Sequence, residues 1–283
     1  MGPRSDLPPT WGAQLAHAER SLAVRAGGAA RDEALRLLAA LAREPMGHVL
    51  ARPTTPMSLR EREIFNGWVA RRMAGEEIAH ITGRLAFMGL ELTVASGSPL
   101  ASSAAQRLVE LTLECARMRE PGELAAAEIG AGCGAIALAL AAFEPRFARV
   151  VALDPSPDAL RMAIANGVRY QLNLVVDWRE GDGPGAIPEP VDLIVCDASA
   201  SASRAAQFFA EAPARLRPGG ALLCALAGVA ETEALATLAH ALPDARRWTA
   251  PAPGGAFIAV AQTPRAPAGQ AGDTAFKTEG EIP

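Results

Sequence analysis

Two kinds of hydrophobic pattern divide the chain near residue 80. Before that point, apolar residues recur three or four positions apart, which is the spacing of one face of an α-helix. The segment RDEALRLLAALARE is predicted to be such a helix, with Asp32 as its N-terminal cap. The expected buried face of this helix consists of Leu35, Leu38, Leu41 and Ala42.

A second helix is predicted directly after Ser58. Ser58 and Glu61 have the spacing of a capping box, in which each side chain bonds to the backbone of the other residue. The residues expected on the core face of this helix are Ile64, Trp68 and Met73. Trp68 could also contact a partner, but packing in the core is the more common use of such a residue.

The pattern changes to short extended runs in AHITGRLAFMGLELTV. Gly83-Arg84 lies between two of these runs, and the residues Leu90, Leu92 and Val94 alternate with polar ones. This pattern predicts a β-hairpin, with its turn at Gly83-Arg84, that joins the helical part to the rest of the chain.

From Leu108 onward, predicted strands alternate with helices or loops. This alternation indicates a parallel sheet covered by helices. Only a short PAPGG turn separates the last two strands, so they are expected to pair antiparallel. The predicted strands are 125–129, 149–153, 172–178, 191–196, 220–226, 245–250 and 256–262.

Composition and charge exclude several classes of protein. The 283-residue chain has a net charge of −4 and only 5% aromatic residues, which argues against a dedicated nucleic-acid surface. Neither a membrane-spanning run nor a signal-peptide core is recognised, and the four scattered cysteines suggest buried thiols in a reducing cytoplasm. The histidines share no spacing with the cysteines, so no metal site is predicted.

The segment AAAEIGAGCGAIALAL contains the strongest chemical signal. Glu128 is followed by Gly130, Gly132 and Gly134, which lie between a predicted strand and the start of a helix. Such a loop lets a polar ligand approach the backbone and the helix N-terminus closely. Asp154 ends the next strand, where an acidic residue can hold ribose hydroxyls. The glycine loop and Asp154 are compatible with NAD or with S-adenosylmethionine (SAM).

Three further features favour SAM over NAD. Glu128 lies inside the first predicted strand, two residues before the first glycine, where a carboxylate can order the loop and face the amino-acid part of the ligand. LRPGGALL predicts a helix end, a turn and a central strand, and an antiparallel pair closes the predicted sheet. Together with the glycine loop, they resemble class I SAM-dependent methyltransferases. The order of the segments GEEIAHITGRLAFMGLELTV, EIGAGCGAIALAL, VVALDPSPDALRMAIAN and LIVCD further resembles the HemK-type protein-glutamine methyltransferases, which modify peptide-chain release factors.

The resemblance implies a Rossmann-like α/β fold, SAM as cofactor and a release factor or another protein as substrate. No direct nucleic-acid or membrane partner is expected. It also implies a substrate-docking helical domain over 1–78, a hairpin linker over 79–100 and a methyltransferase domain over 101–263. The segment 264–283 is rich in Pro, Gly and polar residues, which predicts a disordered tail. The cofactor-binding residues that the resemblance implies are Glu128, Gly130, Gly132, Gly134, Asp154, Asp177, Trp178 and Asp197, with Asp182 as a rival of Asp177 beside adenine.

The part of the family pattern that holds the methyl acceptor is altered. The family ends its fourth strand in Asn-Pro-Pro-Tyr, whereas this chain has Asp197, Ala198, Ser199 and Ala200. A family stretch after the hairpin, Pro-Arg-Pro-Glu-Thr, has become PLASSAAQ, and the long loop after the fourth strand is missing because Arg204 leads almost at once into a helix. Asp197 is either a catalytic group that positions the acceptor or a cap of the next helix.

Three functions remain open at this point. The chain is a methyltransferase with a kept or altered protein-glutamine target, a relative with another acceptor such as a small molecule, or a silent SAM-binding protein with a regulatory or scaffold role. Methyl transfer separates these hypotheses, whereas cofactor binding does not.

Overall fold

The computed structural model describes residues 9–200 and 202–264. The chain forms two compact units, whose boundary lies between Leu100 and Ala101. The four-part domain scheme stays a prediction, and its tail lies outside the described residues except for Pro264. None of the helices in the described ranges combines the length and the apolar character needed to cross a bilayer.

The N-terminal unit contains five helices and one hairpin among its described residues. The helices are α1 (Trp11–Ala26), α2 (Ala30–Ala42), α3 (Met46–Ala51), α4 (Leu59–Met73) and α5 (Ile78–Thr82). Their apolar faces meet in one core. The largest fully buried side chains of that core are Leu22, Leu37, Leu38, Met57 and Phe65.

The capping box at the start of α4 is confirmed, because Ser58 and Glu61 each bond to the other's backbone. The predicted buried face of α4 is wrong by one position. Phe65 and Val69 are buried, whereas Ile64 and Met73 are exposed. Trp68 is half-buried against the same core, as the packing interpretation predicted.

The predicted helix start at Asp32 is also wrong. Helix α2 begins two residues earlier, at Ala30, so Asp32 lies in its first turn. There its carboxylate accepts a hydrogen bond from Arg36, one turn along the helix. A negative charge in the first turn also interacts favourably with the helix dipole, which explains why the residue suits this place without capping. Of the expected buried face, Leu35 and Leu38 are buried, whereas Leu41 and Ala42 are only partly buried.

The hairpin exists, but its turn lies five residues later than predicted. Strand β1 (Arg84–Phe87) pairs antiparallel with β2 (Leu90–Thr93). The turn residues Met88 and Gly89 have φ angles of 48° and 82°, which suit a tight two-residue hairpin turn. Gly83, with φ of 70°, ends helix α5, so the run before it is helical and not extended.

The C-terminal unit is built on a seven-stranded sheet in the order β5-β4-β3-β6-β7-β9-β8. Its strands are β3 (Leu124–Ile129), β4 (Phe147–Asp154), β5 (Val176–Glu180), β6 (Val191–Asp197), β7 (Leu216–Leu226), β8 (Arg246–Pro251) and β9 (Phe257–Gln262). The strands from β3 to β7 pair parallel, and β9 pairs antiparallel with both β7 and β8. The predicted sheet with its closing antiparallel pair is therefore confirmed.

One predicted strand begins too early. The segment 172–175 is a turn, and Leu174 in it is 98% exposed. Leu172 and Val175 donate backbone hydrogen bonds to Gly167 and Leu172, respectively, and not to a neighbouring strand. The apolar residues of 172–175 therefore belong to a turn, in which Leu174 is exposed to solvent, and not to a buried strand.

Helices cover both faces of this sheet. They are α6 (Ala105–Arg117), α7 (Ala135–Phe143), α8 (Pro157–Tyr170), α9 (Ala202–Glu211) and α10 (Glu231–Ala241). Every residue of β3 is buried, as expected of a central parallel strand. The chain runs from β3 to β4 on one side and later returns to β6 on the other, so the carboxyl ends of β3 and β6 form the topological switch point where ligands bind in such sheets.

An ion cluster around the buried Asp192 joins the amino ends of the central strands, and in it only the side chain of Arg217 is substantially exposed. The carboxylate of Asp192, near the start of β6, accepts hydrogen bonds from Arg119 at 2.7 Å and from Arg217 at 2.9 Å. Its Oδ2 also accepts the backbone N–H of Ala125 at 2.9 Å. Arg119 donates in addition to the carbonyl of Gly219. The RPGG segment is thereby tied to the starts of β3 and β6.

Candidate functional site

The loop between β3 and α7 turns sharply across the carboxyl edge of the sheet. Gly130, Gly132 and Gly134 have φ angles of 85°, 53° and 85°, a left-handed region that strains residues with a side chain. The N–H groups of Gly130 and Ala131 both donate to the carbonyl of Leu153 on β4. The loop is thus folded onto the neighbouring strand and leads directly into the N-terminus of α7.

Asp154, the last residue of β4, fastens this loop. Its Oδ2 accepts the N–H of Gly132 at 2.8 Å, and its Oδ1 accepts the N–H of Ser156 at 2.9 Å. The residue is only 8% exposed. Because a carboxylate oxygen can accept more than one hydrogen bond, Asp154 can hold the loop and still accept from ribose hydroxyls.

Replacing Asp154 by Ala is expected to weaken SAM binding by about 1–3 kcal/mol, because a charged hydrogen-bond partner of both loop and ligand is lost. Calorimetric titration with SAM measures this change. Asp158→Ala is the matched control, since its carboxylate is 84% exposed and pairs with Arg161 on the same helix. Equal affinity of the Asp154 variant and the wild type would remove Asp154 from the site.

Glu128 is buried inside β3 and bonds to the helix that follows the loop. Its Oε2 accepts the N–H of Ala137, the third residue of α7, at 2.8 Å. Burial raises the pKa of Glu128 well above its usual range, and the negative groups Asp154 and Asp197 raise it further, while the N–H of Ala137 lowers it. The three acidic side chains are therefore close enough to interact at one edge of the sheet.

The raised pKa of Glu128 predicts an unusual dependence of stability on pH. The native protein keeps a proton on Glu128 that the unfolded chain releases near pH 4.5, so this group's contribution to the free energy of unfolding falls as pH rises from about 4.5 to the raised pKa. We expect Glu128→Gln to remove this fall, with a slope of up to about 1.4 kcal/mol per pH unit. Denaturant unfolding at several pH values measures it.

Glu144→Gln is the control of opposite sign for that experiment. Hydrogen bonds from Arg146 lower the pKa of Glu144, so its stabilising contribution is present above about pH 4.5 and is lost as pH falls through the lowered value. The Glu144 variant should therefore lose stability relative to the wild type at neutral pH. Parallel stability curves for the wild type and the Glu128 variant would contradict the assignment of a raised pKa to Glu128.

Asp197 ends β6 on the other side of the loop, and both of its oxygens are engaged. Oδ2 accepts the backbone N–H of Ser102 at 3.1 Å. Oδ1 accepts the N–H of Ser199 at 3.2 Å and its hydroxyl at 2.6 Å. The side chain thus ties the end of β6 to the segment that precedes α6.

Asp177 and Trp178 lie on β5, but only Trp178 contacts the glycine loop. Asp177 pairs with Val151, three positions before Asp154, and accepts hydrogen bonds from Arg149 and Arg179. Burial alone would raise the pKa of Asp177, but these two bonds outweigh that effect and lower it. Asp182, the rival candidate, is exposed just beyond the end of β5, at the carboxyl edge.

The ring of Trp178 packs against the end of the glycine loop. Its Nε1 donates to Asn173 at 2.9 Å. A Cβ added to Gly134 would lie 2.7 Å from the ring, and one added to Gly167 would lie 3.4 Å from it. The ring therefore packs against the backbone where α7 begins and against α8, and glycine at 134 makes that contact possible.

Two residues near the loop were missed by the sequence analysis as parts of the site. The buried side chain of Asn166 on α8 donates to the carbonyl of Cys133 within the loop at 2.9 Å. The guanidinium of Arg204 lies against Gly130. An asparagine on the apolar face of a predicted helix was a usable signal, whereas nothing in the pattern pointed to Arg204. Among the described residues, no group of three or more His, Cys, Asp or Glu side chains could hold a metal ion.

Comparison with known proteins agrees with this geometry in both units. A family described as a methyltransferase domain matches residues 127–225, and one described as a PrmC N-terminal domain matches residues 13–83. A release factor glutamine methyltransferase of Xylella fastidiosa (strain 9a5c) is 38% identical over 141 residues. The chain resembles the release factor glutamine methyltransferases.

The extent of this similarity is limited. The match to the Xylella protein covers 50% of this chain and 50% of that relative. A release factor glutamine methyltransferase of Streptomyces coelicolor is 35% identical over 188 residues, which cover 65% of this chain and 63% of the relative. The chain thus spans between half and two thirds of the length of these two release factor glutamine methyltransferases.

Solved structures agree with the fold. The M. jannaschii tRNA m1G37 methyltransferase has a TM-score of 0.54 at 12% identity, over 65% of this chain and 57% of that one. The T. thermophilus 16S rRNA N2 G1207 methyltransferase, in complex with AdoMet and guanosine, has a TM-score of 0.51 at 20% identity, over 64% of this chain and 49% of that one. The C-terminal unit therefore has the class I methyltransferase fold.

SAM is the cofactor that the methyltransferase domain implies, and the residues present fit it. The loop turns at the carboxyl edge of β3 and leads into the N-terminus of α7, where backbone N–H groups can face a polar ligand. Asp154 and Asp197, at the ends of β4 and β6, supply negative charge, which suits the sulfonium and ammonium groups of SAM. Asp154 lies at the end of β4, where an acidic residue holds ribose hydroxyls in sheets of this topology.

Proposed function

We propose that the protein is a SAM-dependent methyltransferase whose acceptor is not the glutamine of a release factor. The first half of this proposal is supported by the glycine loop, by Asp154 and by the resemblance of both units to release factor glutamine methyltransferases. The second half rests on Asp197 and its neighbours, where the family pattern is altered.

The roles of the residues at this edge of the sheet are part of the same proposal. The loop and Asp154 bind the nucleoside part of SAM, and Asp182 is our candidate beside adenine in preference to Asp177. Asp182 is exposed beyond the end of β5, whereas Asp177 lies inside the strand between two arginines. SAM supplies an electrophilic methyl group. The chain has to hold an acceptor in line with that group, near the end of β6.

The observation that carries the altered acceptor is the hydrogen bonding of Asp197. A glutamine amide has to be held by a partner that both accepts and donates, as an asparagine does. Asp197 only accepts, and its two oxygens already accept three hydrogen bonds from Ser102 and Ser199. This arrangement supports an acceptor other than a side-chain amide, one that does not need a donor at this position.

The proposal also assigns a role to the N-terminal helical unit, which is to contact the partner. Relatives are named as release factor glutamine methyltransferases, so a protein substrate that contacts the helical unit is the partner we favour. The cysteines Cys115, Cys133, Cys196 and Cys224 are all buried and free, which is consistent with a cytoplasmic location.

Incubation of the purified protein with methyl-labelled SAM in a lysate of its own host tests the proposal. We expect label in an acceptor other than a release factor. Stoichiometric label in the release factor would refute the altered acceptor. If the protein binds SAM but labels nothing, the alternative of a catalytically silent SAM-binding protein replaces the proposal.

A further inference from the structure

Arg204 places a positive charge on the first glycine of the loop. It is the third residue of α9, the helix that follows the end of β6. Gly130 has φ of 85°, and a Cβ added there would collide with Nη1 of Arg204 and lie 3.0 Å from its Cζ. The missing side chain of Gly130 is therefore what lets the guanidinium lie against the loop backbone.

The surrounding charges are negative. Asp154 ends β4 and accepts the N–H of Gly132 within the loop, and Asp197 ends β6 on the other side of β3. SAM carries two cationic groups, the sulfonium and the ammonium, and one anionic group, the carboxylate of its amino-acid part. The acidic side chains complement the two cations. A carboxylate at the same edge requires a cation, and a guanidinium binds carboxylates with two parallel hydrogen bonds.

The positions of these groups follow the order of the strands. Asp154 ends β4, Gly130 follows β3, and Arg204 follows β6, and the sheet has the order β4-β3-β6 at this place. Adjacent strands lie about 4.8 Å apart. If Asp154 holds the ribose of SAM, the amino-acid part of SAM extends from the ribose past the end of β3. It then lies near Arg204, which follows β6.

We propose that Arg204 binds the carboxylate of the cofactor's amino-acid part, with Gly130 providing the space for that contact. This proposal rests on the SAM site described above. It assigns to α9 a direct part in cofactor binding.

The test compares two ligands that differ in the amino-acid part. S-adenosylhomocysteine contains the carboxylate, whereas 5′-methylthioadenosine keeps the nucleoside and the sulfur but has no amino-acid part. Calorimetric titration of the full chain is made with both ligands, for the wild type, Arg204→Met and Arg204→Lys. We expect Arg204→Met to weaken S-adenosylhomocysteine binding by roughly 10- to 100-fold, which is the usual effect of losing a charged hydrogen-bond partner.

Binding of 5′-methylthioadenosine should stay within about twofold of the wild type, because it makes no contact with the guanidinium. Arg204→Lys should lie between the wild type and Arg204→Met for S-adenosylhomocysteine, since lysine keeps the charge but not the paired geometry. Arg246→Met is the matched control. It removes an exposed arginine at the start of β8, the outermost strand of the sheet beyond β9, and should change the affinity for neither ligand.

Two results would overturn the proposal. If Arg204→Met weakens both ligands equally, the residue supports the loop and does not bind the carboxylate. If it weakens neither, the contact does not form. A wild-type protein that binds neither SAM nor S-adenosylhomocysteine would refute the cofactor site itself, which distinguishes that failure from a failure of Arg204 alone.

Discussion

Purified protein incubated with a release factor and SAM is expected to leave the release-factor glutamine unmethylated. The expected rate is lower by a factor of about 10⁴–10⁵ than that of an enzyme with the intact acceptor motif. Loss of one well-placed polar group accounts for about 10²–10³ of this factor. A displacement of the amide by about 1 Å, without the Pro-Pro-Tyr geometry, accounts for about another 10².

The physical reason lies at Asp197. An amide nitrogen is a weak nucleophile, so its reaction depends on positioning. The Asp197 carboxylate cannot donate to the amide oxygen, and a charge that a substrate covers has to lose its hydration. Mass spectrometry of the release factor measures the product, with the related Streptomyces coelicolor protein as positive control.

Two variants separate the causes of this loss. Asp197→Asn alone should not restore methylation, because Ala198, Ser199 and Ala200 still replace the Pro-Pro-Tyr of the family pattern. A variant with Asn-Pro-Pro-Tyr at 197–200 and a grafted following loop should gain activity. Stoichiometric methylation by the unmodified chain would show that the altered motif does not control the acceptor.

Replacing Asp192 by Asn is expected to destabilise the C-terminal unit by roughly 3–5 kcal/mol, which is the usual effect of removing one partner of a buried ion pair. The Asp192 side chain is only 7% exposed and that of Arg119 only 16%. The amide nitrogen of asparagine would also face donors from Arg217 and Ala125. Hydrogen–deuterium exchange of the core amides of β3 and β6 reports this free energy for the one unit.

Asp177→Asn is the matched control for this cluster. Asp177 also pairs with two arginines, Arg149 and Arg179, but its side chain is 30% exposed. Exposed pairs contribute about 0–1 kcal/mol because solvent screens them. Equal destabilisation by the two substitutions would show that burial does not govern the strength of these clusters.

Most of the fold could be predicted because it depends on interactions between residues that are close together in the sequence. The capping box of Ser58 and Glu61 needs only a spacing of three residues. Central strands such as β3 are apolar except for single polar residues such as Glu128, and the glycines of the loop appear where the chain has to adopt positive φ. Alternation of strands and helices then leaves few topologies for the sheet.

The parts that could not be predicted depend on contacts between distant residues. Asp192 accepts hydrogen bonds from Arg119 and Arg217, which lie 73 and 25 residues away in the sequence. The hairpin turn was misplaced because Gly83 suits a helix end as well as a turn, and only the packing of α5 decides between them. Arg204, which follows β6, lies against Gly130, which follows the neighbouring strand β3, a contact that no local pattern contains.

Titration of the purified protein with SAM and, separately, with NAD tests the central claim most directly. Both ligands suit a glycine loop followed by an acidic strand end, so the loop alone does not choose between them. We predict saturable binding of SAM that Asp154→Ala weakens, and no binding of NAD. Binding of NAD without binding of SAM would contradict the assignment of the protein as a methyltransferase.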